Sequence, residues 1–176
     1  VRLVGQGEVD IGISQARSDD LSVRRRKVFD LAAVCVVPAA HPLAQKPTLN
    51  AQDFRGQAII SLSAGDEYRR LFESMPDAQG VSIRSTIEVA PGVMLCTMVD
   101  AGCGIGIVDI ETAHAQSWRN VVFRRIEPTI TVPIYAMQNI HKPQSLAVRR
   151  FIGHIMRRAP RRWSDERAWD GKGGSI

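Results

Sequence analysis

The 176-residue sequence has no apolar run approaching the roughly 20 residues that a helix needs to cross a bilayer, which excludes a helical membrane span. It has only three cysteines, Cys35, Cys96 and Cys103, an odd number with no CxxC pair and no zinc-ligand spacing. That argues against a disulfide-stapled domain and a structural zinc site, and the thiols read as reduced and buried, as in a cytoplasmic protein. The four histidines, His41, His114, His141 and His154, are scattered, and none adjoins a Gly-flanked Ser or Cys of the kind that carries a nucleophile. Nothing has metal-ligand spacing, so neither a metal nor a cofactor is expected. The opening Val1-Arg2-Leu3-Val4 has no initiator Met and no signal-peptide apolar region, and reads as cut from a longer chain.

What is present is enough apolar material for a core: 44% of residues are hydrophobic and 23% charged. The net charge of +5 is localised. Residues 1–148 carry fifteen residues of each sign, whereas residues 149–176 carry eight basic and three acidic ones. The folded body is therefore electroneutral, which weakens a nucleic-acid-binding reading for it. Arg149, Arg150, Arg157, Arg158, Arg161 and Arg162 give the end of the chain a basic character suited at most to non-specific phosphate contact. Residues 161–176 are basic, Gly-rich and without periodicity, and are expected to be a disordered tail.

The pattern alternates strands and helices. Val9–Ile13 alternates as a strand, and Val23–Val37 contains two apolar stretches around Asp30, the second apolar throughout as in a strand covered on both faces. Arg24-Arg25-Arg26-Lys27 within it reads as a solvated, charge-protected strand edge. The spacing predicts a short helix over Leu49–Phe54 capped by Thr48 or Asn50, a strand over Gln57–Leu62, a helix over Asp66–Met75 and a strand over Ile83–Val89. Pro91 suits the first position of a helix over Val93–Val99, ended by Ala101-Gly102-Cys103-Gly104. Strands follow at Ile105–Val108, Val121–Ile126 and Ile130–Met137, then an amphipathic helix at Leu146–Met156. This order points to an α/β architecture with mostly parallel strands. Gly102-Cys103-Gly104-Ile105-Gly106 is not a phosphate loop, because it runs from helix to strand and a phosphate loop runs from strand to helix.

Four segments in order carry a family likeness: Gly7-Glu8-Val9-Asp10-Ile11-Gly12-Ile13, then Val36-Val37-Pro38-Ala39-Ala40-His41-Pro42-Leu43-Ala44, then Asp53-Phe54-Arg55-Gly56 leading to Ala58-Ile59-Ile60, and Val99 to Val108 through Gly102-Cys103-Gly104. Through them the chain resembles the effector-binding domain of LysR-type transcriptional regulators over roughly residues 1–158, with Asp109 standing where the family usually has Pro. The resemblance implies a two-lobe, type II periplasmic-binding-protein-like fold whose first lobe is incomplete here. Lobe one would be residues 1–36 and 137–160, and lobe two residues 37–136. A small, polar or anionic effector would bind in the cleft between them and shift the conformation of a homodimer or homotetramer. DNA would be bound only through a helix-turn-helix domain absent from this chain, and no membrane is involved. Two alternatives share the fold: a periplasmic-type solute-binding protein serving transport, and an enzyme, for which no positioned acid, base or nucleophile is found.

In an open α/β sheet, ligands gather where strands end and helices begin. Ser61, Leu62 and Ser63 lie at such a point, where hydroxyls and backbone N–H groups suit a carboxylate; the plain alternative is that Ser63 or Asp66 only caps the helix. Ser14 and Gln15 follow the first strand. Ala90, Pro91 and Gly92 open another helix, and Val108 and Asp109 end a further strand. Asp109 reads either as a solvated loop residue or as a contact for a cationic group. These ten positions are the candidate ligand site. His41, before Pro42, reads as ordering a turn.

Overall fold

The computed structural model describes residues 1–15, 19–75 and 87–158. These fall into two compact units, one of residues 1–31 and 132–158, the other within 32–131. The chain passes from the first to the second inside one long strand, β2 (Val23–Pro38), and returns at the start of another, β8 (Thr131–Asn139). The sequence reading put these passages at 36–37 and 136–137, within the same two strands.

The first unit opens with a one-turn helix, α1 (Arg2–Gly5), and a short strand, β1 (Gly12–Ser14). The strand is shorter than expected: Glu8 to Asp10 lie in a bend, so these two carboxylates do not share a strand face. β1 pairs antiparallel with β8, Gly12 opposite Met137 and Ser14 opposite Tyr135. β8 also pairs with β2, and the bonds from Ile140 N to Ser22 O and from Ala33 N to Ile130 O set that pair antiparallel. Helix α5 (Leu146–Arg158) covers this sheet, placing Val148 and Ile152 against Val28, Ile134 and Ala136. Arg24 to Lys27 are all exposed, with Lys27 paired to Asp30 at 2.7 Å and the Arg25 guanidinium 5.1 Å from the centre of the Tyr135 ring. Charge on that stretch keeps the strand soluble, as its composition predicts.

The second unit is built on the far half of β2. Ala32 to Val37 are all buried, and this stretch pairs on one side with β6 (Gly106–Asp109) and on the other with β7 (Val121–Ile126), both antiparallel to it. β7 pairs parallel with β3 (Thr48–Leu49). On the β6 side, the bridge between Ile59 and Ile105 leads to β4 (Ile60–Leu62), which pairs parallel with β5 (Ile87–Val89). The strand order is thus β5, β4, β6, β2, β7, β3, with every strand except β2 running the same way. The expectation of mostly parallel strands holds for this unit and fails for the first. Residues 83–86 of the expected Ile83–Val89 strand lie outside the described residues, as does the tail of residues 161–176.

Helices cover the sheet: α2 (Glu67–Glu73), α3 (Gly92–Asp100) and the five-residue α4 (Ile110–His114), which sequence spacing does not show. Thr48 to Phe54 contains β3 and a 3-10 turn, Ala51–Phe54, closed by a capping box of Asn50 and Asp53. His41 does order a turn, its Nδ1 accepting from Leu43 N at 3.2 Å at the start of a second 3-10 turn, Pro42–Gln45.

The glycine-rich segment after α3 is a helix stop. Cys103 N donates to Met98 O and Gly102 N to Val99 O, the crossed pair that satisfies the last carbonyls of a helix, with Gly102 at φ +80°. Gly104 has a different reason. At φ +152°, its added Cβ would stand 2.4 Å from Ala58 O, where the backbone runs against its neighbour. The cysteines divide: Cys35 and Cys96 are buried, whereas Cys103 is exposed on the outside of the turn, against the expectation of three buried thiols. Gly104→Ala should lower the unfolding free energy by about 2 kcal/mol or more, measured as a fall in urea midpoint. With a chromogenic thiol reagent, one thiol per chain should react in the folded state and three after denaturation; Cys103→Ser should remove the fast one.

Candidate functional site

The parallel strands of the second unit give its sheet a direction. β4, β5 and β6 all end at one edge, and each is followed by a helix or by the turn that starts one. This edge collects eight of the ten candidate positions. Ser61 faces Glu88, and Leu62 faces Val89, in the β4–β5 register, so Ser61-Leu62-Ser63 and Ala90 leave the sheet side by side. At the start of α3, a Cβ on Gly92 would lie 3.2 Å from Thr112 and 3.5 Å from Val108, which brings the β5–α3 corner onto the β6–α4 corner. Ser14 and Gln15 lie at the end of β1 in the first unit, both half-buried.

One finding decides between the alternatives the sequence leaves at this edge, and two others change its reading. Asp66, not Ser63, caps α2, accepting from Tyr68 N at 2.9 Å and Arg69 N at 3.3 Å. Pro91 is the residue before α3, not its first residue, and no side chain caps that helix. Asp109 is neither a solvated loop residue nor a free carboxylate: it caps α4, accepting from Thr112 N at 2.8 Å and Thr112 Oγ1 at 2.7 Å. A family pattern with Pro at that position cannot make these two bonds, so the departure from it has a local structural role.

The group that sequence spacing missed is Arg69. Its guanidinium reaches from α2 to the β4 strand end, donating to Glu88 Oε2 at 2.7 Å, Leu62 O at 3.0 Å and Ser61 Oγ at 3.3 Å; its Nε donates to Glu73 at 2.9 Å. The other oxygen of Glu88 accepts from Ala64 N at 3.4 Å. One carboxylate therefore spans a guanidinium and a backbone N–H at the turn after β4. Ser61 is the buried polar residue beneath it, 6% exposed. Beneath Ser61 and Arg69 lies a small apolar hollow lined by Phe54, Ile60, Leu62 and Phe72, all of them buried. Behind the edge, Tyr68 and Cys96 are buried. Desolvation, aided by the Asp109 charge, pushes the Tyr68 hydroxyl far above its ordinary range and the Cys96 thiol up to about 12. Both are neutral at physiological pH, so neither offers a nucleophile or base there. Among the described residues no group of His, Cys, Asp and Glu is placed to hold a metal ion, and no helix is long and apolar enough to cross a membrane.

Two α/β units joined through two long strands, the second unit with a single reversed strand and its strand ends gathered at one edge, make up the type II periplasmic-binding-protein-like class of fold, which the solved structures below share. The family model described as the LysR substrate binding domain matches residues 1–160, and the chain belongs to that family. It is 32% identical over 152 residues to the transcriptional activator protein LysR of Escherichia coli, covering 86% of this chain and 49% of the relative. Of solved structures, HinK, a LysR family transcriptional regulator from Pseudomonas aeruginosa, superposes with a TM-score of 0.80 at 15% identity, over 92% of this chain and 56% of that one. The effector binding domain of QuiR in complex with shikimate gives 0.73 at 21%, over 89% and 74%. The chain spans about half the length of the curated relatives it matches. These relatives are transcriptional regulators, which supports regulation over transport.

Glu88 is held below the ordinary glutamate range chiefly by the hydrogen bond from Arg69, which outweighs the opposing effect of desolvation, with lesser help from the hydrogen bond of Ala64 N and the Arg69 charge. A lowered carboxyl contributes stability above its unfolded value and loses it as pH falls through the folded one. Stability should therefore drop more on acidification in the wild type than in Glu88→Gln, as followed by urea midpoints from neutral to acid pH. The difference should be small, because the pair is exposed to solvent.

Proposed function

We propose that this chain is the small-molecule-sensing part of a LysR-type regulator and that its second unit holds a polar or anionic effector at the Ser61–Ser63 edge. The observation that carries the reading is the Glu88 carboxylate itself. Arg69 and Ala64 N both donate to it, and it is half exposed, its side chain at 51% of full accessibility, so solvent and solutes reach it. An effector carboxylate would take the place of Glu88 on Arg69, with the Ser61 and Ser63 hydroxyls and the α3 start at Ala90, Pro91 and Gly92 beside it. Arg69 offers a two-pronged donor fork suited to such an exchange. Val108 and Asp109 complete the proposed set in the second unit, and Ser14 and Gln15 are the proposed contacts of the first unit, considered by itself. For Asp109 the role is to fix the α4 start, since its oxygens are already engaged.

Sensing follows if the effector binds one arrangement of the regulator better than another, since only that difference shifts a conformational equilibrium. We further propose that the whole protein is a cytoplasmic homodimer or homotetramer that binds DNA through a helix-turn-helix domain outside this chain, and that it has no catalytic role. Lobe boundaries at residues 36–37 and 136–137 remain part of the proposal.

Calorimetry against a panel of carboxylated and uncharged metabolites tests the site. A carboxylated ligand should bind; Arg69→Ala should weaken it about tenfold or more, the loss of one charge-assisted pair, and Glu88→Gln should strengthen it by removing the resident competitor. A ligand whose affinity ignores both substitutions would sink the assignment.

A further inference from the structure

Away from the strand-end edge, the first unit carries a concavity of about 370 Å³ on the outer side of α5. Arg149, Arg150 and Arg157 of α5 and Arg26 of β2 line it, together with Gln144, Ile152, Gly153 and Met156. Residues 149, 153 and 157 are spaced four apart, so they form one row along the helix, and residue 150 lies beside that row. Gly153 is what makes the row concave. A Cβ there would stand 3.2 Å from Nη1 of Arg157, so the guanidinium lies over bare helix backbone. Glycine in the middle of a helix is unfavourable, and its return here is space between two arginines.

Among the described residues the four guanidinium groups have no counter-charge in an ion pair. No Asp or Glu lines the concavity. Lys27, next in sequence to Arg26, does have a partner in Asp30. Cations gathered without a counter-charge repel one another, and an anion among them turns that repulsion into attraction. This stretch is also where the sequence departs from electroneutrality.

We propose that this concavity is a phosphate-binding site, separate from the effector edge. Phosphate suits it better than a carboxylate: it carries more charge and presents oxygens in several directions, so guanidinium forks approaching from two elements each find a pair. The phosphate comes either from a free phosphorylated small molecule or from a nucleic-acid backbone, and the two are distinguished by experiment.

The test titrates the chain with inorganic pyrophosphate, and separately with a short random-sequence DNA duplex, at low and at physiological salt. The variants are Arg149→Gln/Arg157→Gln and, to crowd the concavity while keeping every charge, Gly153→Leu; circular dichroism shows whether each is folded. Saturable pyrophosphate binding that falls about tenfold or more in the double variant supports a free phosphorylated ligand. Duplex binding that is lost in the same variant, weakens steeply with salt and is competed by pyrophosphate supports the backbone source. Gly153→Leu should weaken whichever probe binds. If neither probe binds the wild type, or if both bind the folded double variant as tightly as the wild type, the site is overturned. Because Arg69 and Glu88 are untouched, this outcome is independent of the effector edge.

Discussion

The burial of six consecutive residues, Ala32 to Val37, is the constraint from which the second unit follows. A strand covered on both faces must satisfy its backbone with strands on both sides, and β6 and β7 supply them. Once β2 is fixed in this way, the rest of the sheet has one direction available. β6 and β7 run against β2, β3 and β4 run with them, and β5 extends the β4 side. The gathering of strand ends at a single edge is a consequence of the reversed strand at the centre.

The edge is built by short-range devices that leave little polar surface unassigned. Asp66 closes α2 and Asp109 closes α4, so two acidic residues that invite a ligand-binding reading are occupied with backbone N–H groups. The charged group left facing the corner is Arg69, tied by two carboxylates on either side and by the Leu62 carbonyl below. Desolvation keeps Tyr68 and Cys96 neutral behind it. The corner thus presents a guanidinium and a carboxylate to solvent and keeps its tyrosine and thiol behind them.

Much of this was legible in the sequence. β7 lies where its apolar pattern puts it, at Val121–Ile126, because its pattern and its neighbours agree. The order of helix, glycines and strand at residues 92–109 was enough to identify a helix stop, and the crossed hydrogen bonds from Gly102 and Cys103 show why. What escaped depended on contacts distant in the chain. Arg69 acquires its meaning from Glu88, nineteen residues on, through the register of two three-residue strands. Its spacing to Glu73 and its place just after the Asp66 cap were the local signals available. Helix α4 has five residues, too few for any periodicity to show, and only the pairing of Asp109 with Thr112 announces it. Cys103 looked buried because glycines and apolar residues flank it, yet a turn at a helix end points outward.

The bond between Glu88 and Arg69 has one more implication. An empty pocket lined by a bare cation would attract any passing anion, chloride included. Here the guanidinium is already paired with a tethered carboxylate, so an incoming anion has to displace Glu88 before it reaches Arg69. On the proposed effector reading, such a corner would be deaf to ionic background and would discriminate by more than charge.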